Sequence, residues 1–598
     1  MEATRIFDLL DRYGMLCPDK QDALAGKDEG KWRTYSTRAF IDNSNHISYG
    51  LMHLGVKKGD KIASITFNRP EWNFLDMGVL QIGAIHIPIY PTISDSDYAY
   101  ILEHAEVSYV FVAGEEMYRR IKHIVPNIPG IRAVYTFKDL FGMQHLNELI
   151  DAGRENPRPE MLKEIKDSIS PDDLATIIYT SGTTGTPKGV MLSHRNIMSN
   201  VDAVKHIPPY GPEHRAMSFL PICHIYERMM NYTLIYKGLS MYYLANMAVI
   251  AESLREVHPH VFTTVPRLLE KVYDKILAKG RALKGIRKMI FFWANQVGLK
   301  YEIGKEKRNP IYGLKLKIAR KLVFSKWKEA LGKNLDIVVS GGAALQPRLN
   351  RVFWAVGLRI IEGYGLTETS PVIAVSNFEP QGIKFGTVGP PLKNVEVRIA
   401  GDGEILVKGP SIMKGYYKDP ELTREVIDED GWLHTGDIGM IEPEGQLRIT
   451  DRKKVIFKTS FGKYISPQVI ENRFKESPFI DQVLVIGENQ RFAMALIVPD
   501  FNHLKSWCEV KKIPYTTNAQ MLEMPRIRKR FQKEVAHCNQ LLGDYERIMR
   551  FDLVDHEWTV EGGQLSATLK LRRSHLLQEY AHLVEKLYKT ANGNGKDE

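Results

Sequence analysis

The chain has 598 residues, 44% apolar and 25% charged, and a formal net charge of +10. That length exceeds one ordinary domain, so one large domain and at least one smaller one are expected. Cys17, Cys223, Cys508 and Cys538 are the only cysteines; widely spaced and without a Cys-x-x-Cys pair, they suggest neither a disulfide framework nor a zinc site, and a reducing, cytoplasmic setting fits.

In chain order, the first segment, MEATRIFDLLDRYGMLCPDK, mixes charges into its apolar residues and lacks the apolar core and cleavage site of a signal peptide, so it is expected to stay on the protein. VLQIGAIHIPIYP (79–91) is too short for a membrane span and holds two prolines, so a soluble chain is expected. LATIIY (174–179), LDIVVSGG (335–342) and VEVRI (395–399) read as strands separated by helical patterns, which predicts layered α/β sheets.

Between Lys271 and Lys333 there are 18 Lys/Arg against 4 acids, more than the whole net excess. Ile290, Phe291, Phe292, Trp293, Val297 and Leu299 are interleaved with these bases. Two readings stand: helices lying on an anionic membrane surface, or a solvated basic helical insertion. No nucleic acid partner is expected, because no recognised binding module accompanies the charge. From about 386 to 450, short strand-like pieces alternate with Gly/Pro/Asp turns, predicting a small β-rich subdomain. DRKKVIFK (451–458) follows, then a helix (PQVIENRF), strands (QVLVIG and MALIVPD) and terminal helices. The domain boundary is therefore placed at Asp451, dividing an N-terminal domain, 1–450, from a C-terminal α+β domain, 451–598. The polar tail ANGNGKDE is expected to be unstructured.

The most informative segment is YTSGTTGTPKGV (179–190), where a strand runs into glycines, hydroxyls and one lysine. Glycines admit backbone amides close to phosphate oxygens, Thr180, Ser181, Thr183 and Thr184 add hydroxyl donors around Gly182, and Lys188 adds positive charge. Pro187 and Gly189 stand where a kinase-type phosphate loop requires Gly and Ser/Thr, so that class is disfavoured. A plain glycine-rich turn would not account for so long a pattern.

GYGLTETSP (363–371) offers the Tyr364 ring to adenine beside Gly365, a Thr367 hydroxyl to an α-phosphate, and Glu368 as a hard oxygen ligand for Mg2+. Its bland alternative is a glycine turn with a capping threonine. Gly341, Gly342 and Ala343 close a strand and can let a flat base approach the backbone. Within GWLHTGDIG (431–439), Asp437 can accept from ribose hydroxyls and Arg452 can add a donor to the same sugar, although an isolated turn Asp is usually only a turn former.

The phosphate segment, GYGLTETSP, GWLHTGDIG, DRKKVIFKTSFGKYISP (451–467) and the basic TLKLRR (568–573) occur in an order that resembles the adenylate-forming superfamily: acyl-CoA synthetases, peptide adenylation domains and luciferases. The resemblance spans nearly the whole chain. It implies a large N-terminal domain and a small mobile C-terminal one, with ATP, Mg2+ and coenzyme A consumed in two steps. His224, in LPICHIYER, is implied to line the acyl site, Lys570 to bind both the substrate carboxylate and the α-phosphate, Asp451 to be the hinge, and Gly462 to admit the pantetheine of CoA. The usual Gly-Lys is Leu569-Lys570 in this chain, and Phe461 replaces a frequent glycine. PICHIYERMMNY, the basic insertion and LSATLKLRR look like the long-chain acyl-CoA synthetases, so a fatty acid is the expected substrate, with contact to an anionic membrane through 271–333. A medium-chain or aryl acid:CoA ligase, an acyl-AMP ligase and a non-catalytic fatty-acid-binding protein stay open as alternatives.

Overall fold

The computed structural model describes residues 2–181, 186–453, 455–461, 463–566 and 569–592. Gly182, Thr183, Thr184 and Gly462 lie outside them, as do the Ser181 side chain and residues 593–598. Two large sheets form the N-terminal part. One has seven strands, in spatial order Gly415–Tyr416, Pro187–Ser193, Leu174–Ser181, Ile85–Ile89, Lys61–Ile65, Val107–Val112 and Ala133–Thr136. The five strands from Leu174–Ser181 to Ala133–Thr136 run parallel, and their inner members are mostly apolar and buried along nearly their whole length, as strands covered on both faces must be, with Ser64 and His86 as buried polar exceptions.

The second sheet has eight strands, ordered Val372–Val375, Arg359–Gly365, Ile337–Ser340, Val261–Thr264, Arg215–Ser218, Ser240–Tyr243, Leu24–Asp28 and Lys31–Tyr35. All but its two edge strands are parallel. A four-stranded antiparallel sheet, Glu396–Ile399, Glu404–Lys408, Leu433–Ile441 and Leu447–Arg452, occupies the stretch expected to be β-rich. Beyond it, a separate apolar core gathers residues from Phe457 to Leu587 around a sheet of Ile480–Ile486, Ala493–Pro499 and Ile548–Leu553.

Two expectations are corrected. The terminal helix, Ala581–Asn592, takes in the first two residues of the supposedly unstructured tail, because its apolar stripe of Val584 and Leu587 anchors it to the second core. In the basic insertion, Phe291 and Val297 are buried and Ile290, Phe292, Trp293 and Leu299 pack against the same core, so these residues do not form an outward apolar face. The segment is helical, with helices Gly285–Leu299, Pro310–Ala319 and Ser325–Ala330. No helix among the described residues is long and apolar enough to cross a membrane.

Candidate active site

In parallel α/β sheets ligands bind beyond the carboxyl ends of the strands. Gly341, Gly342 and Ala343 follow strand Ile337–Ser340, Tyr364 and Gly365 end strand Arg359–Gly365, and His224 lies a few residues beyond Arg215–Ser218, so all six stand at that end. Gly342 and Ala343 are exposed, whereas Gly341 is buried and a Cβ on it would come 3.1 Å from the Tyr226 ring. At Gly365 a Cβ would fall 1.6 Å from the Pro371 carbonyl oxygen, so only glycine permits the tight return of this loop.

The phosphate segment is a hairpin. Strand Leu174–Ser181 pairs antiparallel with Pro187–Ser193, with Thr180 opposite Lys188. A strand after the loop, instead of a helix, separates this arrangement from kinase-type phosphate loops. Strand Gly415–Tyr416 pairs in turn with Pro187–Ser193, setting Tyr416 opposite Val190. From there the Tyr416 hydroxyl donates to Glu368 Oε1 at 2.8 Å, and the Lys188 ammonium lies 5.6 Å from the centre of the Tyr416 ring. One tyrosine thus joins the lysine of the phosphate segment to the carboxylate of GYGLTETSP.

Glu368 sits with the buried Thr367 in a short 3-10 turn. Among the described residues no cluster of three or more His, Cys, Asp or Glu could hold a metal alone. A single carboxylate beside a bound triphosphate is how Mg2+ is usually held, so the donor set fits an ion that arrives with the nucleotide.

Asp437 is buried and takes Tyr364 Oη on Oδ2 at 2.7 Å and Arg452 Nε on Oδ1 at 3.0 Å. Each carboxylate oxygen retains a second lone pair. Tyr364 is therefore fixed at both ends, by its strand and by its hydroxyl. Arg452 closes strand Leu447–Arg452, directly opposite Asp437 in the ladder. Its neighbour Asp451 is also in that strand, opposite Ile438, while its buried carboxylate accepts from Ser466 Oγ and, at 3.4 Å, from the Gln468 amide. Burial raises its pKa.

His224 caps helix Ile225–Tyr236 and accepts the Tyr226 amide on Nδ1 at 3.2 Å, which leaves the proton on Nε2. Burial, then the charge of Lys570, push the imidazole down to about 4, so it is neutral near pH 7. Lys570 is thereby located: from the C-terminal unit it reaches the same cleft. Burial pushes its ammonium down to about 8, Arg452 adding to the fall and Asp437 opposing it. Part of the residue stays exposed to solvent at the cleft. Leu569 holds φ at 62°, a left-handed conformation natural to glycine, and its side chain packs against both the C-terminal core and the apolar layer beside Tyr226. Gly462 lies outside the described residues; its hairpin, Phe457–Lys458 with Tyr464–Ile465, exposes Phe461 and Tyr464.

The sequence reading missed the residues that join these motifs. Asn200 accepts the Val372 amide on Oδ1 at 2.6 Å and donates to the Val372 carbonyl at 3.2 Å, pinning the GYGLTETSP loop. Asn196, one turn earlier, donates to the Pro410 and Ile412 carbonyls, fixing the approach to Tyr416. Two buried asparagines four apart on helix His194–Val204 were the available signal. Tyr416 had none.

Residues 17–417 match the model of the AMP-binding enzyme family, and residues 455–592 that of the AMP-binding enzyme C-terminal domain. The chain is 32% identical over 591 residues to the peroxisomal long chain acyl-CoA synthetase 6 of Arabidopsis thaliana, covering 94% of this chain and 82% of that one. It is 31% identical to the long-chain-fatty-acid–CoA ligase FadD15 of Mycobacterium bovis, covering 94% and 93%. In fold it resembles the adenylation domain of a carboxylate reductase from Mycobacterium chelonae, with a TM-score of 0.77 and 23% identity over 98% of this chain and 91% of the other. With both family models matched in order along one chain, and relatives of this identity over nearly its whole length, the protein belongs to the AMP-binding enzyme family.

Proposed function

We propose that this chain is an ATP-dependent long-chain fatty acid:CoA ligase, which converts the acid to an acyl-adenylate with release of pyrophosphate and then transfers the acyl group to CoA with release of AMP. The observation that carries this reading is Lys570, delivered by the C-terminal unit to a cleft that already holds Asp437, Arg452 and His224. The long-chain substrate rests on the relatives named above.

A carboxylate is a poor electrophile, and attack of one of its oxygens on the α-phosphate brings two anions together. The residues in the cleft answer that repulsion by position and charge. Lys570 lies between carboxylate and α-phosphate and neutralises both. Lys188, with Thr180 and Ser181, and with Gly182, Thr183 and Thr184 of the same segment, holds the β- and γ-phosphates that leave. Tyr364 stacks on adenine against Gly341, Gly342, Ala343 and Gly365, and Asp437 with Arg452 holds the ribose. Thr367 donates to the α-phosphate, and Glu368 is the residue that would hold Mg2+, whose charge supports the departing pyrophosphate when bound. His224, neutral and with Nε2–H free of the backbone, orients the substrate carboxylate as a donor without adding a second cation.

Thioester formation needs Lys570 withdrawn and a path for the CoA thiol. Rotation of 451–598 about Asp451 does both, turning the hairpin around Gly462 toward the adenylate. We place the enzyme in a reducing cytoplasm, where its four buried free thiols persist. CoA-dependent AMP release across saturated acids from short to very long, with benzoate and coumarate as controls, tests the reading. A long-chain optimum is expected. Activity confined to aromatic or short acids overturns the substrate and leaves the chemistry; no AMP release with any acid overturns the enzyme reading.

A further inference from the structure

Helix Pro310–Ala319 continues through a widened π turn, Arg320–Phe324, into Ser325–Ala330. Its inner face is spent on the protein: Tyr312, Leu316, Ala319, Val323, Phe324 and Trp327 are buried, and the Tyr312 hydroxyl donates to the Val297 carbonyl at 3.0 Å. A surface helix with its apolar stripe so buried is expected to be polar outside. This one is not. Ile311, Leu314, Ile318 and Leu322, three or four residues apart, form a second stripe facing solvent, and Ile286 and Met289 at the start of the neighbouring helix Gly285–Leu299 are also bare; the six are 40% to 74% exposed. Of the 23 exposed large apolar side chains among the described residues, seven fall between Ile286 and Leu322.

The charge on the same elements is one-sided. Between Ile286 and Lys328 there are 12 Lys/Arg against 2 acids. Lys315, Lys317 and Lys321 alternate with the outward stripe, are exposed and form no ion pair among the described residues. Bare aliphatic side chains call for hydrocarbon, and unpaired ammonium groups for phosphates; an anionic bilayer offers both at one depth, with long lysines reaching the headgroups while the stripe enters the acyl boundary. Nucleic acid would satisfy the lysines and leave the aliphatic stripe in water.

We propose that the outer face of helices Gly285–Leu299 and Pro310–Ala330 is the surface by which this protein docks on an anionic lipid bilayer. The apolar layer beneath these helices is continuous with Tyr226 and Val265 beside the reaction cleft, so docking sets the acyl-binding side of the molecule against the source of its apolar substrate. That consequence rests on the proposed fatty-acid reading; the docking itself does not.

The test is co-sedimentation of the full chain, without ATP or CoA, with phosphatidylcholine vesicles and with vesicles carrying about a third phosphatidylglycerol. Binding about tenfold tighter or more to the anionic vesicles is expected, and falling with added salt. The triple variant Ile311→Ser, Leu314→Ser, Ile318→Ser and the double variant Lys315→Glu, Lys321→Glu should each lose most of it. All five sites are on the surface, so both variants should keep wild-type turnover of detergent-dispersed acid, which separates lost docking from lost folding. Equal retention on neutral and anionic vesicles, or wild-type binding by either variant, overturns the proposal. So does a light-scattering dimer that the triple variant abolishes while vesicle binding persists, because the stripe would then belong to a second copy of the chain. Loss of docking with full solution activity leaves the ligase reading standing.

Discussion

Raising the pH should switch adenylation off through Lys570. Its ammonium is pushed down to about 8 by burial and by Arg452, against the opposing pull of Asp437. A group with that pKa goes from roughly nine-tenths charged near pH 7 to roughly one-tenth near pH 9, so a step that needs the cation slows about tenfold across that range. The assay is acid-dependent ATP/pyrophosphate exchange, which avoids the CoA thiol and its own titration. Its kcat/KM for ATP reports the free enzyme and should carry the fall. Its kcat, read with phosphates already beside the lysine, should fall at higher pH, because anions favour the charged form. Lys570→Arg keeps its charge throughout and should remove the alkaline fall even if its absolute rate is lower. An exchange rate flat to about pH 10 in the wild type, or the same alkaline fall in Lys570→Arg, would refute the assignment.

Further expectations concern residues that join the site together. Tyr416→Phe keeps the ring beside Lys188 but removes the hydroxyl from Glu368; the Mg2+ concentration for half-maximal exchange should rise about tenfold, the worth of one hydrogen bond to a carboxylate, and an unchanged Mg2+ dependence would count against this positioning role. Leu569→Ala keeps the left-handed strain and loses the packing, so exchange should drop about fivefold while thioester formation from supplied acyl-adenylate is spared; Leu569→Gly loses the same packing but relieves strain of about 1–2 kcal/mol, enough to offset that loss, so its exchange should return to about the wild-type rate, and a glycine variant no faster than alanine would count against the strain. Arg267 pairs with Asp481 across the two cores, so Arg267→Ala and Asp481→Ala should each lower exchange, and a double-mutant cycle should show coupling of roughly 1–2 kcal/mol; strictly additive losses would mean the pair does not hold the pose.

What was legible in the sequence follows from how each signal is encoded. Contiguous motifs carry their chemistry in adjacent letters, so Lys188, Thr367, Glu368 and Asp437 stood out before any fold was known. The α/β layering was legible from short β-branched runs, and helix Pro467–Phe474 coincides with PQVIENRF. Strand order was not: Gly415–Tyr416 is two residues long, and nothing in its composition places it beside Pro187–Ser193. Asn200 and Tyr416 act through isolated long-range hydrogen bonds, which leave no periodicity. The basic insertion misled for a related reason. Its aromatic run, Phe291 to Trp293, is the conspicuous apolar feature in the letters yet faces the core, whereas the outward stripe is four aliphatics spread over three turns among lysines. Leu569 shows the converse, since the departure from Gly-Lys was visible and its consequence, a leucine held at φ 62°, was not.

The contacts that hold Lys570 in the cleft also indicate what releases it. Arg452 is tied to Asp437, Lys453 to Asp402 and Glu404 at 2.7 and 2.8 Å, and Arg348 donates to the carbonyls of Lys475 and Glu476. These are partly exposed ionic and polar contacts, each worth about 1 kcal/mol or less, so together with the better-buried Arg267–Asp481 pair they make the pose a sum of modest terms rather than a locked state. Asp451 differs, since its backbone belongs to the N-terminal sheet through Ile438 and its buried carboxylate belongs to the C-terminal unit through Ser466 and Gln468. On the proposed hinge, torsion concentrated there would turn the second unit without unmaking either core. The electrostatic bias changes when pyrophosphate departs. While a carboxylate and a triphosphate fill the cleft, anions repay the cost of desolvating the lysine; once only the adenylate's single phosphoryl charge remains, that compensation falls, while burial and the nearby Arg452 charge still disfavour the ammonium there, so withdrawal of Lys570 becomes easier. On the proposed two-step reaction, product release from the first step is therefore what tilts the domain toward the second.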